Sequence, residues 1–102
     1  MDYQFLPNKL REILSEEGMP SPEIALRASN CPDSDSPGET YLVSAGDELR
    51  IFSRPMGEND YRQWRGEFHK NIQSMNLEEE RFSSFLVLNL DGRDFKLKYS
   101  SF

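Results

Sequence analysis

Apolar and polar residues alternate most regularly over SFLVLNLDGRDFKLKY, residues 84–99. Asp91-Gly92 divides this stretch, and an Asp-Gly pair favours the two-residue type I′ turn of a β-hairpin. Folding the chain there places Leu88 opposite Phe95 on an apolar face. The same face receives the pairs Leu90 with Arg93, Leu86 with Leu97 and Ser84 with Tyr99. The register is well specified, because a one-residue shift would move the apolar set to the charged face.

A second hairpin is predicted over TYLVSAGDELRIFSR, residues 40–54. Its turn lies at Gly46-Asp47, where a glycine in the first position favours type II′. This turn pairs Leu42 with Ile51 and Ser44 with Leu49 on one face, and Tyr41 with Phe52 and Val43 with Arg50 on the other. We expect the face of Leu42 and Ile51 to be the core side.

The first part of the chain has the period of a helix, predicted over residues 7–17. Its apolar face consists of Leu6, Leu10, Ile13 and Leu14. Pro7 suits a first helical turn and Gly18 a C-terminal stop. In the next segment Ile24, Leu26 and Ala28 alternate as in a strand, although Ser21-Pro22 could also begin a helix. The strand is the preferred interpretation.

Turn-forming residues fill NCPDSDSPGE, residues 30–39, which predicts a mobile loop. A second loop is expected from Pro55 to Gly66, with Tyr61 and Trp64 packing over the edge of the sheet. Residues 68–79 fit either a helix or a strand, and a strand from about residue 71 is preferred on the family resemblance described below.

Composition limits the function classes. A chain of 102 residues predicts one domain, and its single cysteine, Cys31, excludes an internal disulfide and favours a reduced, cytoplasmic setting. The net charge is −6, divided between −7 over residues 1–60 and +1 over residues 61–102. Nucleic-acid binding is disfavoured, because it needs a basic surface. The longest apolar run is too short for a membrane helix, and the N-terminus lacks the pattern of a signal peptide. Direct membrane binding is not expected either, because an acidic surface repels anionic lipid.

From Tyr41 onward the order of features resembles that of bacterial pleckstrin-homology-like domains. The matching stretches are TYLVSAGDELRIFSR, FHKNIQSMNLEE and FLVLNLDGRDFKLKYS. The N-terminal LPNKLREILSEEG and EIALRAS are similar to the lead-in of such a module at the front of ABC-transporter-type ATPases. Sequence pattern and resemblance together predict a single α+β, mostly β domain over residues 1–102. Its helix covers 7–17, and a bent, partly open antiparallel barrel of five or six strands covers about 23–99.

The resemblance also implies a C-terminal helix that plugs the sheet, and the chain reaches Phe102 without one. We therefore expect it to be the leading module of a longer bacterial protein, with an apolar face partly uncovered at Phe85, Val87 and Phe102. If only one of the 7–17 helix and the Tyr61–Phe68 aromatics covers the sheet, these residues stay available to a downstream helix or a second copy, and weak self-association would follow. If both cover it, the domain is closed and stands alone. Eukaryotic members of the resembled family that bind inositol phosphates use a basic cluster in the first hairpin loop. Here that turn carries Asp47 and Glu48, so this activity is not expected.

Few residues suggest a chemical site. His69 is the only histidine, with Glu67 nearby, and one histidine supplies fewer ligands than the three or four that zinc needs. We interpret Cys31 as an incidental thiol in a loop and the run Glu78–Glu80 as a solvated loop. The sequence therefore predicts no catalytic residue, cofactor or metal site, and a protein that is not an enzyme.

One aromatic and basic cluster stands out as a candidate interaction patch: Tyr61, Arg62, Trp64, Arg65 and Phe68. Trp, Tyr and Arg are enriched at binding hot spots. Aromatic residues over a thin sheet more often belong to the core, and the same residues could serve both roles. The leading hypothesis is a non-enzymatic interaction or regulatory module that contacts a protein partner or a downstream domain. The alternatives are a binder of small ligands or lipid headgroups, and a stand-alone domain.

Overall fold

A computed structural model describes residues 6–18, 23–32 and 37–99. These residues form one helix and seven strands: α1 Asn8–Glu16, β1 Ile24–Asn30, β2 Pro37–Ala45, β3 Glu48–Pro55, β4 Arg62–Glu67, β5 Ile72–Glu79, β6 Ser84–Leu90 and β7 Arg93–Tyr99. The strands form one antiparallel sheet in the order β4-β3-β2-β1-β7-β6-β5. The prediction of a β-rich fold with a helix near the N-terminus is confirmed. The sheet has seven strands rather than five or six.

Both predicted hairpins are present in the predicted register. Strands β6 and β7 pair Leu88 with Phe95, and the turn residues Asp91 and Gly92 have φ values of 53° and 82°. Positive φ at both positions is what a type I′ turn requires. Strands β2 and β3 pair Leu42 with Ile51 around Gly46, whose φ is 60°. Two short local signals were therefore sufficient to set the pairing of four strands.

Strand β4 was wrongly expected to be a loop. It pairs with β3, with Trp64 opposite Ile51 and Gly66 opposite Leu49. The sequence does not alternate there, because Arg62 and Gln63 are both exposed on an edge strand, whereas glycine fills a buried position. Backbone hydrogen bonds to β3, rather than burial of an apolar face, keep this strand in the sheet.

The remaining element predictions are mostly confirmed. Helix α1 lies within the predicted 7–17, β1 replaces the alternative second helix, and β5 is a strand rather than a helix. The loop predicted over residues 30–39 is shorter than expected, because Asn30 belongs to β1 and β2 already begins at Pro37. Residues 33–36 of that loop lie outside the described residues.

The main core lies inside the curved sheet. Its buried members are Ala28, Leu42, Leu49, Ile51, Leu86, Leu88, Leu90, Phe95 and Leu97. Strands β3 and β7 both contribute, although β2 and β1 lie between them. Neighbouring strands are about 4.8 Å apart, so such strands would be about 14 Å apart in a flat sheet. The sheet therefore curves around a shared core.

A second core lies on the outer face of β2 and β3, beneath α1. Its buried members are Leu6, Leu10, Leu14, Tyr41, Val43 and Phe52. The β2–β3 hairpin is therefore buried on both faces, whereas the sequence indicated one core face. At the margin of this cluster Arg50 is only 5% exposed, and its guanidinium pairs with the carboxylates of Glu17 and Glu48.

Across the three described ranges, we find no helix with the length and apolar content needed to cross a bilayer.

Candidate functional site

The aromatic residues of the predicted patch lie on different faces of β4 and its flanks. Trp64 faces the main core and packs edge-to-face on Phe95, and Phe68 packs against the same core. Tyr61 instead packs against the core beneath α1, where the Arg54 guanidinium lies 5.3 Å from its ring centre. The structural role that aromatic residues over a thin sheet usually have therefore accounts for all three.

The two arginines of the patch are exposed, but they also lie on different faces. Arg62 shares its face with Trp64 and reaches Glu58, with Nη2 3.7 Å from Oε1. Arg65 lies opposite Arg50 on the outer face. The structure does not bring the five predicted residues together as one surface, and a binding role for them stays a prediction.

Strand β5 is the opposite edge of the sheet and the most exposed element. It pairs with β6 and with no other strand of the described residues, and every residue after Ile72 is exposed. Met75 and Leu77 lie opposite buried Leu88 and Leu86, yet their exposed fractions are 42% and 66%. A strand edge that carries exposed apolar side chains and has no neighbouring strand is a ready template for another strand.

The end of β5 adds charge and an aromatic ring to this edge. Glu78 and Glu79 belong to the strand rather than to a loop, which corrects the sequence interpretation, and Glu80 begins the turn to β6. Phe82 in that turn is 90% exposed, and the Arg81 guanidinium lies 5.5 Å from its ring centre. We call Met75, Leu77, Glu78–Glu80 and Phe82 the β5 edge surface.

Three possible metal ligands meet at the other end of the sheet. The ligand atoms of Asp47, Glu67 and His69 all lie within 4.8 Å of one another, and His69 Nδ1 contacts Asp47 Oδ2. The sequence drew attention to His69 and Glu67 only. Asp47 was missed because it is distant in sequence and reaches them through the β3–β4 pairing, which the sequence did not indicate.

Backbone hydrogen bonds fix the two turns that carry these ligands. Phe68 N donates to Asp47 O at 2.8 Å, and His69 N donates to Asp47 Oδ1 at 3.3 Å. Asn71 braces the second turn, since Glu67 N donates to Asn71 Oδ1 at 2.8 Å. Three side chains from two segments are therefore held at one end of the sheet.

The other residues considered from the sequence lie apart from both surfaces. Cys31 is buried, and its thiol lies 3.9 Å from the carbonyl oxygen of Pro37. Phe85 and Val87 are half-buried on the outer face of β6, whereas Phe102 lies outside the described residues.

Comparison with protein-family models, with curated proteins and with solved structures found no match to this chain.

Proposed function

We propose that this chain is a non-enzymatic interaction module that binds a protein segment along the β5 edge surface. The observation that carries the proposal is the exposure of Leu77 and Met75 on a strand that the described residues pair along one edge only. Natural proteins usually protect such an edge, whereas peptide-binding domains use it to add a strand. Backbone hydrogen bonds would supply affinity, and alternate side chains would supply specificity.

The charge of the β5 edge surface indicates which kind of protein segment it would bind. Glu78, Glu79 and Glu80 follow the two exposed apolar residues, and the chain as a whole carries −6. A complementary segment is extended, with apolar side chains opposite Met75 and Leu77 and basic side chains opposite the carboxylates. Phe82 beside the strand end provides an aromatic anchor of the kind found at hot spots.

The same proposal includes the larger protein to which this module would belong. A pleckstrin-homology-like module at the front of a larger bacterial protein would present this edge to a downstream domain or to a partner in the cytoplasm. The curvature of the antiparallel sheet and its β2–β3 and β6–β7 hairpins support this relationship.

The test uses a short peptide that alternates lysine with valine as the probe. Its binding to the whole chain is measured by fluorescence polarisation, beside a glutamate–valine peptide and a proline-interrupted lysine peptide. We expect the first peptide to bind and both others to fail, because one repels the carboxylates and the other cannot form a strand. Amide exchange should slow along β5 when the peptide is bound.

Matched variants locate the contact. Leu77→Ala and Glu79→Lys should weaken the peptide, whereas Gln63→Ala on the β4 edge and Glu12→Lys on α1 should not. Protection of β4 instead of β5, or equal loss in the control variants, would contradict the proposal. Sedimentation of the free chain over a wide concentration range adds a separate check. Self-association through this edge should be weakened by Leu77→Ala but not by Glu79→Lys, because the lysine removes like-charge repulsion between two copies of the edge.

A second candidate function rests on a pocket near the junction of β1 and β7, where Ala28 pairs with Tyr99. The pocket has a volume of about 430 Å³, and its polar lining combines Arg81 and Lys98 with serine hydroxyls and one carboxylate, that of Glu80. Cations and hydroxyl groups suit a phosphate-bearing ligand. A thermal-shift series with inorganic phosphate and inositol phosphates tests this, and stabilisation that Lys98→Gln removes would support it.

A further inference from the structure

We propose that Asp47, Glu67 and His69 bind a divalent transition-metal ion at the surface. The site is independent of the proposed strand-binding edge. It lies where the β2–β3 turn meets the turn between β4 and β5, and each residue offers one ligand atom within 4.8 Å of the others.

The ligand atoms lie close enough together for small side-chain movements to bring them onto one ion. A zinc ion holds its nitrogen and oxygen ligands at about 2.0–2.2 Å, so two ligands of one ion lie within about 4.4 Å of each other. The three ligand atoms lie within 4.8 Å of one another, a bound slightly larger than this limit. His69 and Asp47 now contact each other directly, and a metal ion would enter between them by small rotations of exposed side chains. The side chains of His69, Asp47 and Glu67 are 62%, 43% and 45% exposed, so an ion and its waters have access.

The backbone prearranges this set. Asp47 accepts hydrogen bonds from His69 N and, through its own carbonyl oxygen, from Phe68 N. Asn71 N donates to Glu67 O at 2.8 Å, and the Asn71 side chain accepts from Glu67 N. The segments that carry the three ligands are therefore joined before any metal binds, which lowers the entropic cost of binding.

The donor atoms select the class of metal. One imidazole nitrogen with two carboxylate oxygens suits zinc and its neighbours, whereas calcium and magnesium prefer oxygen ligands alone. Three protein ligands leave a fourth position for water. The Lys70 ammonium, 3.3 Å from Glu67 Oε2, competes with the ion for that carboxylate. Bound metal would add a link between the two turns and so stabilise this end of the sheet.

The experiment titrates the whole chain with Zn²⁺ by calorimetry and with Co²⁺ by visible absorption. We expect one ion per chain and a rise in melting temperature on binding. His69→Ala, Asp47→Asn and Glu67→Gln should each reduce affinity by at least about 10–100-fold, since even outer-shell changes have effects of that size. Lys70→Gln should instead increase affinity, because it removes the competing cation. Glu12→Gln on α1 removes one negative charge elsewhere and should change neither the metal affinity nor the rise in melting temperature.

Two results would overturn the proposal. One is Zn²⁺ affinity that is the same in His69→Ala as in the original chain, which would mean scattered carboxylate binding. The other is the absence of a saturable Co²⁺ or Zn²⁺ signal in a chain that melts cooperatively. All three ligand side chains are at least partly exposed. In the absence of added metal, the three ligand variants should therefore melt near the melting temperature of the original chain. This comparison separates lost binding from lost folding.

Discussion

Trp64 packs edge-to-face on Phe95, with ring centres 5.4 Å apart and an interplanar angle of 69°. Their strands, β4 and β7, are separated in the sheet by β3, β2 and β1. In a flat sheet four steps of about 4.8 Å would separate them by about 19 Å. The two rings therefore join the halves of the sheet across its core.

The first prediction concerns this contact. Phe95 is 1% exposed, so Phe95→Ala should lower the free energy of unfolding by about 3–5 kcal/mol. Lys96→Ala is the matched control on the next residue of β7. Lys96 Nζ lies 4.3 Å from the Phe85 ring on the outer face. Lys96→Ala should therefore lower the free energy of unfolding by less than about 1 kcal/mol. Equal shifts in urea melts would mean that the core face is assigned incorrectly.

The second prediction concerns Gly66, whose strand comes close to β6 and to the turn before β5. A Cβ atom at this position would lie 2.5 Å from Leu90 Cδ1 and 2.9 Å from Asn71 Cβ. Gly66→Ala should therefore destabilise the fold by about 1–3 kcal/mol through overpacking. Combining it with Leu90→Ala supplies the check. The double variant should be more stable than the sum of the two single changes predicts, and simple additivity would argue against a clash.

Local signals in the sequence account for much of this fold. Asp91-Gly92 and Gly46-Asp47 determine two hairpins, because a turn type and an alternating pattern act over only a few residues. Strand β4 could not be predicted in this way, since it is held by backbone pairing to β3 and carries one large apolar residue, Trp64. Because β4 was not predicted, the sequence indicated five or six strands rather than seven.

The candidate sites were harder to predict, for the same reason. Asp47 reaches His69 only because β3 pairs with β4, and the exposure of Leu77 depends on β5 being the last strand of the sheet. Both facts are properties of strand order. Sequence periodicity identifies which face of a strand is apolar, but it does not indicate whether a neighbouring strand will cover it.

The third prediction concerns the link between α1 and the sheet. Arg50 is nearly buried and pairs with Glu17, the residue just after α1, as well as with Glu48. Glu17→Gln should lower the free energy of unfolding by about 1.5–3 kcal/mol, since it removes a charge-assisted partner of a buried cation. Glu16→Gln is the matched control, because Glu16 is exposed, and its effect should be under about 0.5 kcal/mol. The same melting temperature in both variants would show that the Arg50–Glu17 ion pair does not stabilise the packing of α1 on the sheet.

The last prediction concerns alkaline pH and Tyr41, which is 3% exposed beneath α1. Burial raises the pKa of this phenol above its ordinary value, and the Glu39 carboxylate adds to the rise, while Arg27 opposes it. An acid whose pKa is higher in the folded chain than in the unfolded chain favours folding while it is protonated. Its contribution is therefore complete below about pH 10, the unfolded value, and is lost as the pH rises through the folded pKa.

Urea melts between neutral pH and strongly alkaline pH check this sign. Tyr41→Phe keeps the ring in the core and removes the ionisable hydroxyl, so its stability should decline less steeply above about pH 10 than that of the original chain. Tyr61→Phe is the comparison, because burial also raises the pKa of Tyr61, with Arg54 opposing the rise. Tyr61 is less buried, so its variant should flatten the profile less. Parallel profiles for the original chain and Tyr41→Phe would mean that the Tyr41 hydroxyl ionises without opposing the fold.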